Sequence, residues 1–444
     1  MERKDRTAMC EIIRDTFLDE IGNYYTKGEM PSRVSINMRR ALSEHKKRLQ
    51  AKGISYSARF ERSEDDRSGE SSFRSFDLSP DRRAGWEYKD AGFKMTNCYK
   101  HCNAVTVMSD GTHNVKCDEA SDDVVYCHII DREDPTAPAD EDIIIECPNC
   151  GHTGSAKIFV DGCPMCSTKF EINDLYPCVN SYYYMPWPMP KPNFVDKALQ
   201  RAKTVAFITG PVIGFPIFLL TLAFYQNIIL PLIAGIICTL LFGWIAFLVT
   251  FFIGQAIASA QAVAGVASMA ANTLDMTAAT NSKRKTEDAI KPYDPHFAFD
   301  IFEGKIISSI RTIAYSDDRA NCSLYSGKDD LSFMDDLIDV RYRGALKFEK
   351  VQEMGDYLHA VMTAYLDNIY YREGKFLRGK ENFTVELVRK KDARTPVQFS
   401  AYSVNCKSCA GTFDAILSKK CPFCGQEYEL ASQDWTIIQL VKTR

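Results

Sequence analysis

The chain has 444 residues, 45% hydrophobic and 25% charged, with a net charge of −4 that says little about partners because it averages over unlike segments. The length leaves room for two or three soluble domains of ~100–150 residues. Of 16 cysteines, eight fall into four CxxC pairs, which is metal-ligand arithmetic in a reducing compartment and excludes the disulfide scaffold of a small secreted protein.

The N-terminal stretch MERKDRTAMC has no apolar run behind its charges, so no cleavable signal peptide is expected. Met9, Ile12, Ile13, Phe17, Ile21 and Tyr24 recur at helical spacing over 7–24, and a second helix is expected over 32–52 with Gly53 as its stop. This defines a helical region, 1–62. Residues 33–59 carry eight Lys/Arg against Glu44 alone, a stripe that suits a solvated helix face or, less well, an anionic surface. The Ser-rich, charged run 63–85 reads as a linker.

A β-rich region is expected over 86–140, where two apolar runs, 104–108 and 113–116, flank the favoured turn pair Asp110-Gly111. It also holds Cys98, Cys102, Cys117 and Cys127, with His101, His113 and His128 nearby. Their spacing matches no standard knuckle, so buried thiols are expected rather than a third metal site. Over 141–178, Cys147, Cys150, Cys163 and Cys166 form two CxxC turns on either side of Ile158, Phe159 and Val160, the pattern of a zinc ribbon. Four thiolates close a tetrahedral site and leave no position for a reactive water, so the expected ion is structural. Tyr182, Tyr183, Tyr184 and Trp187, interleaved with prolines, then read as a stiff approach to a membrane interface over 179–203.

Residues 204–274 contain no Asp, Glu, Lys or Arg. The runs 205–225 and 228–253 each exceed the ~20 apolar residues that cross a bilayer, and only Gln226-Asn227 offers a turn, so a transmembrane hairpin is expected over 204–254. Pro211, Pro216 and Pro231 should kink it. Lys191, Lys197, Arg201 and Lys203 precede the hairpin and Lys283, Arg284 and Lys285 follow it, which places both termini in the cytoplasm. The Ala-rich stretch 255–292 reads as a helical or interfacial extension and linker, with the small pairs Gly254/Ala258 and Ala264/Ser268 offering a packing face; a third span over 254–274 is the alternative.

A last domain, 293–444, opens with Phe299, Phe302, Ile306, Ile310 and Ile313 on one helical face. Helical signals recur at 331–338, strands are expected at 345–348, 360–371 and 383–388, and turns at Gly374 and Gly379. A second ribbon, Cys406, Cys409, Cys421 and Cys424, is inserted over 402–428 before a closing strand at Trp435, which brings the expected zinc content to two structural ions.

The opening Asp294-Pro295-His296-Phe297, the strand Phe383-Thr-Val-Glu-Leu-Val-Arg389, the ribbon placed after it and the Trp435 strand together resemble the domain shared by subunit 44 of the mitochondrial inner-membrane translocase and its bacterial membrane relatives, over 294–444. That resemblance implies an α+β, cone-shaped, nuclear-transport-factor-2-like fold with a concave pocket, membrane-surface tethering of partners and a bacterial cell membrane location. This chain departs from the mitochondrial protein in having true spans and two ribbons, so a role in import is not implied. The function expected is a membrane-anchored scaffold or adaptor that binds protein or lipid. The alternatives are a pocket enzyme or small-ligand sensor, with Asp300, His359 and Arg389 as candidate groups, and a nucleic-acid-binding ribbon protein. The second is disfavoured by the scattered basic residues Lys157, Lys169, Lys407, Lys419 and Lys420.

Overall fold

The computed structural model describes residues 3–62, 87–90, 93–117, 123–132, 144–146, 152–155, 158, 163–166, 177–186, 193–225, 228–279, 281–295, 297–393, 404–406, 408–414, 416, 418–432 and 434–443. They fall into two compact units. One combines 1–119, 123–185 and 272–444, so chain from before and after the apolar run folds together; the other is essentially 186–271. The helical, β-rich and C-terminal regions, expected as separate domains, are therefore parts of one body.

That body begins with α1 (Arg3–Lys27) and α2 (Ile36–Ala51). Ser35 caps α2 by accepting the Met38 N–H at 3.4 Å, and the chain leaves the helix at Lys52. A six-stranded antiparallel sheet follows, in the order β1 (Ser55–Arg62), β3 (Phe93–Ser109), β5 (Asp123–Arg132), β8 (Cys178–Pro186), with β2 (Glu87–Asp90) and β4 (Asn114–Cys117) also paired to β3. The Asp110-Gly111 turn joins β3 to β4 as expected. The Asp110 carboxylate accepts the Thr112 and His113 N–H groups at 2.8 and 2.6 Å, and Gly111 takes φ +88°. Ile13, Phe17, Leu18 and Ile21 of α1 bury against Cys98, Cys127, Ile129 and Val179 of the sheet. Burial pushes the Cys127 thiol up to about 12, which suits a small hydrophobe rather than a thiolate ligand.

The C-terminal half adds α5 (Ser282–Ile290), α6 (Phe299–Tyr315) and an antiparallel sheet in the order β14 (Thr436–Lys442), β11 (Lys375–Lys390), β10 (Tyr357–Arg372), β9 (Leu337–Met354). Ile306, Ile307, Ile310 and Ile313 of α6 share one core with Leu346, Leu358, Met362, Val385 and Trp435. Two expectations fail here. Only Ser332–Met334 of the 331–338 signal is helical, a single 3₁₀ turn before β9 begins, and Gly379 lies inside β11 paired with Asn368 rather than at a turn.

Two further corrections concern β8 and α2. Tyr182 and Tyr183 are not held for a membrane interface: they are buried side chains of β8. The Tyr183 ring lies so close over Gly344 that a Cβ there would meet it at 2.5 Å, and a side chain at Gly304 would displace Asn180. Trp187 and the prolines at 188, 190 and 192 lie outside the described residues. Of the basic stripe only Arg48 is buried, where α2 packs along α6 and also buries His45; Arg33, Lys47 and Arg59 stay exposed and Arg39, Arg40, Lys46 and Lys52 are half-buried. The Arg48 guanidinium donates to the carbonyls of Met334, Asp335 and Leu337 and to Asp317 Oδ1 at 3.1 Å.

The second unit contains α3 (Asn193–Phe224) and most of α4 (Ile229–Ala279), the two described helices long and apolar enough to cross a membrane. Their side chains face outward, with Phe207 82% exposed, which suits hydrocarbon and not water. They meet along a seam of small residues four apart, Gly210 and Gly214 on α3 against Gly235, Thr239 and Gly243 on α4. A Cβ at Gly214 would overlap Thr239 and approach the Gly235 carbonyl to 2.9 Å. Pro211 and Pro216 lie inside α3, whereas Pro231 sits in the first turn of α4, where no N–H is needed. Gln226 and Asn227 lie outside the described residues, as do the side chains of Ala258, Ala264 and Ser268. The 51 residues of α4 form one helix of roughly 75 Å at ~1.5 Å per residue. Residues 254–274 continue the second helix, so a returning third span is excluded. Replacing Gly214 by Leu should therefore separate α3 from α4 and cost about 1–3 kcal/mol, read as a lowered thermal midpoint in detergent, whereas Leu at the lipid-facing Phe207 should leave the midpoint unchanged.

Candidate metal centre

The four cysteines expected to form a second ribbon lie between β11 and β14 in the sequence. β12 (Val404–Asn405) leads directly into Cys406, and β13 (Thr412–Phe413) pairs with it antiparallel. Each CxxC turn is a knuckle closed by its own backbone: Ala410 N–H donates to Cys406 O and Gly425 N–H to Cys421 O, both at 2.8 Å. The residue after the second cysteine must then adopt a left-handed conformation, with φ +59° at Ala410 and +77° at Gly425.

These knuckles bring Cys406, Cys409, Cys421 and Cys424 together, all four sulfurs within 4.8 Å of one another. Cys406 Sγ lies 3.5 Å from Cys424 Sγ, and Cys409 Sγ 3.5 Å from Cys421 Sγ. A tetrahedral ion with ~2.3 Å metal–sulfur bonds separates its ligands by roughly 3.8 Å, so the set fits one ion after a small expansion. The Cys409 and Ser408 backbone N–H groups point at Cys406 Sγ and hold that thiol down to about 6, in the direction of the thiolate a metal requires. The knuckles are tied to the domain through Ser323 N–H to Ile416 O at 2.8 Å, Lys419 N–H to Asn321 O at 2.9 Å, and an Arg40–Asp414 ion pair reaching from α2.

Of the four cysteines expected to form a first ribbon, Cys163 is buried and Cys166 half-buried in the turn at 164–166, while Cys147 and Cys150 lie outside the described residues. β6 (Ile144–Glu146) ends immediately before Cys147, and its partner β7 (Thr153–Ser155) begins three residues after Cys150. In the second ribbon β12 and β13 stand in the same relation to Cys406 and Cys409.

The candidate catalytic groups are not brought together. Asp300 takes Lys283 Nζ at 3.0 Å, His359 Nδ1 lies 2.9 Å from Glu386 Oε1, and Arg389 donates to Asp294 Oδ2 at 2.7 Å while stacking over Trp435. In the β10–β11 register His359 is opposite Val388 and Leu358 opposite Arg389, so alternation puts His359 and Arg389 on opposite faces of the sheet. Lys420 is engaged by Glu427 at 3.1 Å, and Lys157, Lys169 and Lys407 lie outside the described residues.

Sequence reasoning missed the most polar interior region. His45, Arg311, Asp339 and Arg341 line a cavity of about 20 Å³ with Tyr25, Tyr56, Tyr182, Tyr184, Tyr315 and Tyr342. That volume admits about one water and no organic substrate. Burial holds the His45 imidazole below its ordinary range, and the neutral ring bridges the Tyr25 hydroxyl at 2.6 Å and Ile338 O at 2.8 Å. Also unanticipated is the approach of His128 to Asp300 and Glu303. Burial, and then the Glu303 carboxylate, push the Asp300 carboxyl well above the usual range. The spacing of Asp300 and Glu303 on one helix face was visible in the sequence; their meeting with a strand histidine was not.

No protein-family model, curated protein or solved structure matches the chain.

Ala410 is the non-glycine member of two equivalent knuckle positions. Ala410→Gly should stabilise the metal-loaded second ribbon by about 1 kcal/mol, because the left-handed penalty disappears. Retention of metal against a chelator at graded temperatures measures this, and Gly425→Ala should shift the loss in the opposite direction.

Proposed function

We propose that the chain is an integral membrane adaptor, anchored by a two-span hairpin and binding a protein partner on the cytoplasmic face through its zinc-stabilised body. The observation that carries this reading is the second ribbon. Its four sulfurs leave no open coordination position, so a zinc ion there performs no chemistry, yet the knuckle presents Phe423, 68% exposed, at the surface. A rigid, inert turn with an outward aromatic suits contact rather than catalysis.

The matched placement of β6 and β7 supports a first ribbon of the same kind, and hence two structural zinc ions. The antiparallel sheet with α6 packed on it supports the resemblance of 294–444 to the translocase-subunit-44 domain and its cone-shaped fold. Placement of both flanks of the hairpin in one body supports two crossings with the two flanks on one side. Lys283 to Lys285 lie beyond the extension of α4, more than ~20 residues past the apolar core, whereas Arg201 and Lys203 adjoin it.

Elemental analysis of the detergent-purified chain should find two zinc ions, and Cys421→Ser should remove one of them; zero or one ion in the unmodified chain contradicts the reading. On intact cells a membrane-impermeant maleimide should label a cysteine placed at Asn227 and not one placed at Ser282. Labelling at Ser282 contradicts the topology. Partners retained by the intact protein should be lost with Phe423→Asp while both zinc ions remain.

A further inference from the structure

We infer that His128, Asp300 and Glu303 form a second kind of metal site, one that takes a divalent cation of the manganese type and clamps the N-terminal sheet to helix α6. A ring nitrogen of His128 and one carboxylate oxygen from each of Asp300 and Glu303 lie within 4.8 Å of one another. One ion with bonds of ~2.0–2.2 Å reaches all three after a small contraction. The donors come from separate elements. His128 is on β5, and Asp300 and Glu303 project from one face of α6, three residues apart.

The surroundings hold this set in place. The Tyr342 hydroxyl donates to Glu303 Oε1, Ser181 Oγ lies 3.2 Å from His128 Nδ1, and Tyr183 packs edge-on against the imidazole at 5.6 Å. Asn180, the neighbour of Ser181 on β8, donates to the Asp300 carbonyl at 2.9 Å. The positions are thus fixed by hydrogen bonds to the ligands' own atoms, as supporting residues around a metal do. Glu303 is buried, and Asp300 and His128 are nearly so.

Charge decides what the site takes. The two carboxylates face Lys283 Nζ, 3.0 Å from Asp300 Oδ2, and the imidazole of His128, whose Nδ1 lies 3.5 Å from Glu303 Oε2. A divalent ion beside neutral His128 balances the pair, and Lys283, whose side chain is 35% exposed, has solvent to swing into. Two oxygens and one imidazole form a harder donor set than the four thiolates, so this site accepts a hard ion such as Mn2+ that the thiolates disfavour. Because one ligand comes from β5 and two from α6, occupancy strengthens the contact between regions that flank the membrane hairpin.

The test is titration of the zinc-loaded full chain in detergent with Mn2+, followed by electron paramagnetic resonance of the free ion. One equivalent should bind. His128→Ala and Glu303→Gln should each weaken binding roughly tenfold or more, Lys283→Met should tighten it several-fold by removing the competing ammonium, and Cys421→Ser should leave it unchanged. Asp300→Asn, on the outer side of the cluster, serves if Glu303→Gln fails to fold. Absence of stoichiometric Mn2+ binding, binding by the His128 and carboxylate variants as tight as by the unmodified chain, or weaker binding by Lys283→Met overturns the inference.

Discussion

The structure depends on a buried arginine. Arg48 leaves α2, passes into the C-terminal half and is held by three main-chain carbonyls and Asp317, two of those carbonyls belonging to the 3₁₀ turn and its exit and the third to the start of β9. A guanidinium with five donors meets this demand, and a lysine, with a compact ammonium, does not reproduce the geometry. One turn earlier His45 spans Tyr25 and Ile338 and stacks on Tyr315 at 4.6 Å. Together these two side chains join residues that are nearly three hundred positions apart in sequence, with the membrane hairpin between them. Removing the guanidinium leaves buried carbonyls unpaired, at about 1–3 kcal/mol for each, a large part of a domain's stability.

This joint constrains the remaining architecture. The two apolar helices lie in the sequence between the halves that meet here, and two helices long enough to cross a membrane are an even number, as a chain returning to one body needs. The Gly210, Gly214, Gly235, Gly243 seam sets how closely those helices approach, because hydrocarbon supplies no hydrophobic force between them. The second ribbon is drawn into the same arrangement through Arg40 and Asp414, so helix α2 touches both the C-terminal core and the base of the metal centre. The N-terminal helical region acts as the bracket.

Local patterns were legible in the sequence and long-range ones were not. The apolar spans, the Asp110-Gly111 turn, helix α6 and the cysteine spacing of the second ribbon all follow from short periods or fixed offsets. The charge pattern of α2 did not reveal that one of its members, Arg48, is received by a carbonyl cluster nearly three hundred residues away. Tyr182 and Tyr183 misled for a related reason: aromatic residues before a span fit an interfacial belt, and only the pairing of β8 and the bare backbone of Gly344 show them to be core. The glycine seam was also present in the sequence, as Gly210 and Gly214 on one helix and Gly235, Thr239 and Gly243 on the other, each four apart.

The most direct test of the central claim, that both flanks of the hairpin form one cooperative body held at Arg48, is hydrogen–deuterium exchange of Arg48→Ala in detergent against the unmodified protein. The account predicts that protection falls together in α2, in α6 and at the start of β9, with the hairpin helices unchanged. Loss of protection confined to α1 and α2, with α6 and β9 exchanging as before, would contradict it.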